Sequence, residues 1–235
     1  MIRLSPGFLG VGSDPRNNLI CAGCLAPARR RALASAALAA GGRDFLRNLS
    51  SGKFRVYDAG CPPLFRGPEI WGAAGYSFTY FGRPPAGAAK AWPSARRGDL
   101  EKLDFRGNYF DLVLTADVLE HVRHLGRALG EIARVLKPGG LHLFTVPYNP
   151  EAAATVEYPP GRGPQHLDSP PTRKIRAARD FGSDVLARLF HPAFELTAGE
   201  GRAGAGSVPV FRAEKTAPAT RTRSCRTTGR PRRRP

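Results

Sequence analysis

The sequence predicts an α/β protein with an at least partly parallel sheet, and a strand–helix–strand pattern over residues 110–147 is the main observation. Phe110–Thr115 is a short apolar run, which is typical of a strand buried on both faces. Leu141–Val146 forms a second such run. Between them, apolar residues recur at helical spacing: Leu125, Leu129, Ile132 and Leu136. Because parallel neighbouring strands need a crossover of this kind, the pattern predicts a βαβ unit.

Further elements are predicted on both sides of this unit. Residues 28–42 are rich in Ala and Leu, which favour helix, and Gly41-Gly42 is a natural stop. Residues 54–59 (FRVYDA) and 75–82 (GYSFTYFG) are β-prone and predict two earlier strands. Lys137-Pro138-Gly139-Gly140 is expected to end the central helix. Three short elements are predicted near the C-terminus: a helix over 184–190 and strands over 194–197 and 208–212.

The composition fits one ordinary globular domain with extensions. The chain has 235 residues, of which 42% are hydrophobic, so a sizeable core is expected. No run of about 18 apolar residues occurs, and no transmembrane helix is expected. The N-terminus lacks the apolar core of a signal peptide, and four cysteines do not make a disulfide framework. A reducing cytoplasm is therefore the expected compartment.

Positive charge dominates the sequence, with a formal net charge of +17. Residues 216–235 contain seven Arg and no acid, and removing those seven charges leaves +10. Residues 214–235 are predicted to be a disordered basic tail, because they hold almost no large apolar side chains. Such a tail either contacts the phosphates of nucleic acid or lipid, or is simply solvated.

The most specific motifs lie in and before the central block. Phe110-Asp111-Leu112-Val113 is followed by Glu120-His121-Val122 and then by Arg134-Val135-Leu136-Lys137-Pro138-Gly139-Gly140. Upstream stand residues 98–105 (GDLEKLDF) and 56–64 (VYDAGCPPL). Together these motifs resemble the class I S-adenosylmethionine-dependent methyltransferases, in the branch of methyltransferase type 11-like proteins. The resemblance implies a doubly wound, mostly parallel seven-stranded sheet of Rossmann-like architecture.

The resemblance also implies a division of the chain. Residues 52–213 are expected to form the methyltransferase-like domain, and residues 148–180, which are Pro-rich and basic, an inserted loop or flap within it. Residues 1–51 are expected to be an N-terminal extension with a C-x-x-C pair and a basic helix. In doubly wound folds, ligands bind beyond the carboxyl ends of the strands at the topological switch point.

The residues expected to hold S-adenosylmethionine follow from the same resemblance. Asp58 and Gly60 lie in the loop after the first strand, under the methionine and ribose. Asp99 is expected to accept a hydrogen bond from the adenine amino group, with the Leu100 backbone beside it. Thr115, Ala116 and Asp117 leave the fourth strand beneath the sulfonium. The methyl donor is already activated by its positive sulfur, so positioning supplies much of the catalysis.

The first loop departs from the family's glycine pattern. Pro62 stands where the second glycine is expected, and Leu64 where the third is expected. Proline fixes φ and lacks an N–H donor, and the Leu64 side chain is expected to crowd a place where backbone approaches the cofactor. Toward the end of the second strand, residues 77–80 offer no acid for the ribose hydroxyls. Cofactor binding is therefore predicted to be weakened but retained.

His121 is the leading candidate for a catalytic residue. Its unperturbed pKa lies near neutrality, so it can act as a general base toward an oxygen or nitrogen acceptor. The alternative is that Glu120-His121-Val122 packs and caps the start of the helix. Glu120 and His121 alone do not supply a metal ligand set, and no metal is predicted there.

Cys21 and Cys24 form half of a zinc-binding pattern. A structural zinc needs four ligands, and Cys61 and Cys225 are isolated. Some relatives carry a zinc-ribbon-like segment before the methyltransferase domain, followed by a basic stretch such as Arg29-Arg30-Arg31. Because the partner ligands are missing here, a remnant of such a site or two free thiols is favoured.

Other residues are candidates for an acceptor pocket. His166, with Asp168 nearby, either lines such a pocket or is an exposed loop histidine. Four aromatic residues either stack on a ligand or pack in the core: Trp71, Tyr76, Tyr80 and Phe81.

Three functions remain open from the sequence. The first is methyl transfer from S-adenosylmethionine to a small molecule or to a saccharide- or lipid-linked acceptor. The second is a methyltransferase-like fold that no longer catalyses and binds a partner instead. The third is a nucleic-acid-binding or nucleic-acid-modifying protein, which the charge of +17 suggests.

Overall fold

A computed structural model describes residues 2–4, 19–21, 26–60, 63–65, 67–82, 95–167, 174–203 and 206–216. Several residues singled out in the sequence lie outside these ranges: Cys24, Cys61, Pro62, Asp168 and Cys225. The side chains of Cys21 and His166 are also outside the description. The predictions made for these residues therefore stay predictions, as does the disorder of the tail beyond residue 216. The predicted start of the tail at residue 214 is wrong, because residues 214 and 215 pair with Glu195 and Phe194 in a strand that ends at Lys215.

The elements occur in the following order along the chain. The first are β1 (Ile2–Leu4), β2 (Leu19–Cys21), α1 (Ala28–Gly41) and α2 (Phe45–Ser50). Next come β3 (Val56–Ala59), α3 (Pro68–Trp71), β4 (Tyr76–Tyr80) and β5 (Arg96–Arg97). The central unit consists of β6 (Phe110–Ala116), α4 (Leu125–Val135) and β7 (Leu136–Thr145). Four short strands follow: β8 (Val156–Glu157), β9 (Gln165–Leu167), β10 (Lys174–Arg176) and β11 (Arg179–Asp180). The last elements are α5 (Val185–Arg188), β12 (Phe194–Ala203) and β13 (Gly206–Lys215).

The main sheet has seven strands in the order β12-β13-β7-β6-β3-β4-β5. The pairs from β7 through β5 are parallel, whereas β13 is antiparallel to both β7 and β12. The prediction of a doubly wound, mostly parallel sheet is confirmed. The chain runs outward from β3 through β4 to β5 and then returns to β6 on the other side of β3, so the switch point lies between β3 and β6.

Helices pack on both faces of the sheet. Since successive strand residues point to opposite sides, each central strand contributes side chains to both layers. Val113 and Phe144 pack with Ile132 of α4 on one face. Leu112 and Leu143 pack on the opposite face, in a cluster that includes buried residues of α1 and α2. The continuous apolar run of β6 is therefore the expected signature of a strand with two buried faces.

Helix α1 lies directly against the sheet. Ala and Leu give the helix its propensity, and its buried side is made of Ala28, Ala32, Leu33 and Ala37. The helix ends at Gly42, whose φ of 70° suits glycine and whose N–H donates to Leu38 O at 3.1 Å. Residues 28–50, part of the predicted N-terminal extension, thus contribute two helices to the same core as the predicted domain.

The structure differs from the predicted elements in three respects. Strand β7 begins at Leu136, immediately after α4, and the predicted breaker at residues 137–140 lies within it, with Gly139 at a φ of 73°. Strands β12 and β13 are each 10 residues long, since they pair along their whole length as a hairpin. The predicted flap contains two small antiparallel pairs, β8 with β11 and β9 with β10. These pairings depend on long-range contacts that no local period reveals.

Candidate functional site

We call the region at the carboxyl ends of β3 and β6, where the switch point lies, the cleft. Asp117 follows β6 with a φ of 53°, a left-handed conformation that is uncommon outside glycine. Its N–H donates to Thr145 O at 3.0 Å, and its Oδ1 accepts from the Thr145 hydroxyl at 2.7 Å. Its Oδ2 lies 2.9 Å from Nε of Arg29 in α1. Asp117 is therefore fixed at the mouth of the cleft by contacts from two elements.

Asp58, in β3, holds the loop that follows this strand through hydrogen bonds. Its carboxylate is 2% exposed, accepts from the Tyr76 hydroxyl at 2.6 Å, and accepts from the Leu64 N–H. Burial raises the pKa of Asp58, and these hydrogen bonds partly offset that effect. Arg30 donates from its guanidinium to the Pro63 carbonyl. The loop is thus anchored on one side by β3 and β4 and on the other by α1.

The Leu64 side chain does not fill the cleft. It is 8% exposed and belongs to the core on the α1 face, with Phe65 and Val56. The expected crowding by Leu64 is therefore wrong, because the Asp58 contact at its N–H turns this residue inward. At Gly60 an added Cβ would meet, among the described atoms, only Asp58 Oδ1 at 3.7 Å. Packing of the described protein atoms does not require glycine at this position.

The end of β4 carries no acid, as the sequence predicts. Strand β4 ends at Tyr80 and is followed by Phe81 and Gly82. The Phe81 side chain is 74% exposed. Beneath this edge the Tyr57 hydroxyl lies 2.8 Å from Thr79 Oγ1. Burial raises the pKa of Tyr57, and the neighbouring charges of Asp58 and Asp99 raise it further.

Asp99 and Leu100 lie in the loop after β5. Asp99 is exposed, and its Oδ1 accepts from the Glu101 N–H at 2.9 Å. Leu100 is 8% exposed and packs in the same core cluster as Tyr57. Asp99 thus lies at the carboxyl edge of the sheet, where its charge adds to the rise in the pKa of Tyr57.

Thr115 has a partner that the sequence did not reveal. Its Oγ1 lies 3.0 Å from His142 Nε2, and both residues are fully buried. Burial lowers the pKa of His142 to about 3, so its imidazole is neutral at physiological pH. The Thr115 hydroxyl therefore points into the core, whereas the next residue, Ala116, is half-buried at the end of β6.

His121 lies in the turn that follows β6. Its Nδ1 is 3.1 Å from the Arg176 carbonyl oxygen, which can only accept, so Nδ1 is the donor. Its Nε2 then faces Glu120 Oε1 at 3.7 Å, and the two side chains are 19% and 1% exposed. This distance suits an ion pair when the imidazole carries a proton, and it is too long for a direct hydrogen bond.

Arg179 holds this turn in place, and nothing in the sequence marks it. Its side chain is 2% exposed. Its guanidinium donates to the carbonyls of Leu119, Val122 and Arg123 at 2.8, 2.7 and 3.2 Å. Its Nε lies 2.9 Å from Glu157 Oε1. Strand β11, which belongs to the predicted flap, is therefore a structural part of the site.

Other sequence candidates have structural roles or lie outside the described residues. Trp71 Nε1 donates to Phe65 O at 2.9 Å, and Tyr76 binds Asp58. Tyr80 is half-buried. Within the described ranges, no three His, Cys, Asp or Glu side chains meet as a metal site. No helix in those ranges is long and apolar enough to cross a membrane.

The comparisons with known proteins point to one family. Residues 83–144 match the family model described as a methyltransferase domain. A glycine/sarcosine/dimethylglycine N-methyltransferase of Actinopolyspora halophila is 39% identical over 72 residues, which are 31% of this chain and 13% of that protein. A ubiquinone/menaquinone biosynthesis C-methyltransferase of Cupriavidus taiwanensis is 52% identical over 42 residues, 18% of this chain and 17% of that protein. The matched stretch spans less than one fifth of each of these two curated relatives.

The chain is also similar to solved structures. The Burkholderia thailandensis 1,6-didemethyltoxoflavin-N1-methyltransferase, solved with S-adenosylhomocysteine, has a TM-score of 0.46 and 24% identity. The alignment covers 81% of this chain and 79% of that one. The predicted resemblance to methyltransferases is confirmed over residues 83–144, where the chain matches the methyltransferase-domain model.

Proposed function

We propose that this chain is a methyltransferase that uses S-adenosylmethionine to methylate a small molecule or a saccharide- or lipid-linked acceptor. One observation carries the proposal: the segment that matches the methyltransferase family, residues 83–144, includes β5, β6 and most of β7. Of these strands, β6 borders the switch point of the doubly wound sheet, together with β3. Ligands in such sheets bind at that edge.

The residues at this edge fit part of the proposed cofactor. Exposed Asp99 and exposed Phe81 offer a carboxylate acceptor for an amino group and an aromatic face. Gly60 supports close approach of a ligand to the backbone, since the described packing does not require a glycine there. The ribose contact fits less well, because residues 76–82 supply no acid. When bound, the cofactor would supply an activated methyl group, and the protein would supply orientation.

His121 is proposed to receive the proton of the acceptor. Its Nε2 faces the Glu120 carboxylate, which stabilises the imidazolium once the proton is held there. The Nδ1 bond to the Arg176 carbonyl fixes the orientation of the ring. The same proposal includes the cofactor contacts of Asp58, Gly60, Asp99, Leu100 and Thr115–Asp117.

Calorimetric titration with S-adenosylmethionine and S-adenosylhomocysteine tests the proposed function. We expect micromolar binding to the wild-type protein and a loss of at least about tenfold in Asp99→Ala, since a hydrogen bond to a charged group contributes about 1.5–3 kcal/mol. Asp104→Ala is the matched control, because Asp104 is an exposed acid in the same loop. Absence of binding at millimolar ligand, in protein with a normal unfolding transition, would refute the proposal.

A second candidate function is binding without catalysis. It is favoured because two acids expected to contact the cofactor already have protein partners. Asp58 accepts hydrogen bonds from Leu64 N–H and the Tyr76 hydroxyl, and Asp117 pairs with Arg29. The two functions differ in one readout. A partner-binding protein releases no S-adenosylhomocysteine with any acceptor, whether or not it still binds the cofactor, and His121→Gln then changes nothing.

A further inference from the structure

A cavity of about 200 Å³ lies beside His121, between the turn after β6 and the segment that contains β8 to β11. At about 30 Å³ per water, it has room for roughly seven waters or one small organic group. Its lining comes from the turn itself and from two short stretches that flank it: His121, Arg123, Pro159–Gly161 and Arg176–Ala178. We call it the His121 cavity.

The lining of the His121 cavity is positively charged. Arg123 and Arg176 contribute two guanidinium groups, and no carboxylate is among the lining residues that the structure describes. The acids nearby are engaged elsewhere. Glu157 pairs with Arg179, and Asp180 accepts from the Tyr158 hydroxyl at 2.6 Å.

Glu120 is also near, but it is 1% exposed and lies behind His121. Arg123 and Arg176 are thus the charged groups among the described lining residues, and the His121 ring adds a polar group beside them. The local field therefore favours a negatively charged ligand.

The cationic side chains are anchored rather than free to swing. Arg123 Nη1 donates to Tyr158 O at 2.7 Å, and Arg176 Nη1 donates to Gly163 O at 3.0 Å. A guanidinium carries five N–H donors, so each arginine keeps donors beyond its anchor. Planar guanidinium groups bind carboxylate and phosphate with two parallel hydrogen bonds.

The floor of the cavity is also preformed. The N–H groups of Ala178 and Arg179 donate to Glu120 O at 2.7 and 3.2 Å, which ties the lining segment to the turn. The buried Arg179 guanidinium holds the same turn from beneath, as described above. Binding at this cavity thus needs little reorganisation, which lowers its entropic cost.

We propose that the His121 cavity binds the carboxylate or phosphate group of a small-molecule ligand, through Arg123 and Arg176 with His121 beside them. If the proposed function is correct, this ligand is the methyl acceptor. Its anionic group is then held in the His121 cavity while its nucleophilic atom faces the cleft. Neutral acceptors of the same size bind much more weakly.

The test uses three probes of similar shape on the full chain: benzoate, phenyl phosphate and neutral benzamide. Histidine-labelled protein gives five imidazole signals, one for each His, and His121→Gln identifies the signal of His121. We expect saturable shifts of that signal with at least one anion and none with benzamide. The two anions distinguish carboxylate from phosphate recognition.

The arginine variants decide the role of the charged groups. We expect Arg123→Gln and Arg176→Gln each to weaken anion binding about tenfold or more, as loss of a charge-assisted hydrogen bond predicts. Arg47→Gln is the matched control, because Arg47 is 83% exposed on α2, and should bind anions normally. Arg123→Lys keeps the charge and should lose less than Arg123→Gln, even if the glutamine variant is less stable.

The outcomes separate this proposal from the proposed function. An equal response to benzamide, or unchanged binding in Arg123→Gln/Arg176→Gln, overturns the anion site. Absence of anion binding in protein that binds S-adenosylmethionine overturns this inference and leaves the function intact. Anion binding without any S-adenosylmethionine binding leaves the site intact and refutes the acceptor role together with the function.

Discussion

Buried His142 makes the stability of this protein sensitive to acid. Its imidazole is fully buried, its Nε2 lies 3.0 Å from Thr115 Oγ1, and its ring stacks on Phe144 at 4.4 Å between centroids. Burial lowers its pKa from 6.5 to about 3. Between these two pH values the unfolded chain therefore binds a proton that the folded protein does not bind.

The direction and size of the effect follow from this difference. Because the unfolded state binds more protons, the free energy of unfolding falls as the pH falls below about 6.5, by about 1.4 kcal/mol per pH unit. Between pH 6.5 and pH 5 the loss is about 2 kcal/mol. Burial also lowers the pKa of His191, which acts in the same direction, whereas the raised pKa of Asp58 acts in the opposite direction.

Urea unfolding at pH 6.5 and pH 5 measures this loss. His142→Gln keeps a polar group for Thr115 but does not titrate, so its stability should lose about 2 kcal/mol less than the wild type over this interval. His191 and Asp58 are common to both proteins and cancel in the comparison. His124→Gln, at an exposed position, should follow the wild type. An identical pH dependence in His142→Gln and wild type would refute the reasoning.

Three further substitutions test the packing, each by urea unfolding. Gly75→Ala places a Cβ 2.2 Å from Phe54 O and should cost about 1–3 kcal/mol, and a neutral result would contradict the tight contact. Gly130→Ala should stabilise α4 by about 0.5–1 kcal/mol, because alanine favours helix more than glycine does. Among the described atoms, the added Cβ meets only His191 Nε2, at 3.7 Å. A destabilised variant would show that the helix surface is crowded there. Arg179→Met leaves three carbonyls without their donor and should cost about 3 kcal/mol or more, and a loss below 1 kcal/mol would argue against the clamp.

The central part of the fold was predictable because its signals are local. The apolar run of β6 and the helical spacing from Leu125 to Leu136 are readable within a few residues, and the structure has β6, α4 and β7 at these places. The length of β12 and β13 was not predictable, since it depends on pairing between two strands. Helices α2 and α3 have only six and four residues, too short for a clear period.

The site was predictable only in outline. The position of Asp117 after β6 follows from the motif, but its pairing with Arg29 joins residues distant in the sequence. The apolar run around His142 predicts that this residue is buried, and no pattern names Thr115 as its partner. The clamp by Arg179 depends on three carbonyls in a turn, and backbone groups leave no trace in a sequence.

The position of α1 imposes an order on folding during synthesis. Its buried side packs against β12 and β13, which are the last strands of the described chain. An emerging chain thus exposes the apolar side of α1 until residues 206–215 have left the ribosome. Through most of translation, the exposed apolar side of α1 can bind chaperones or aggregate. Formation of the β12–β13 hairpin is the step that buries this side.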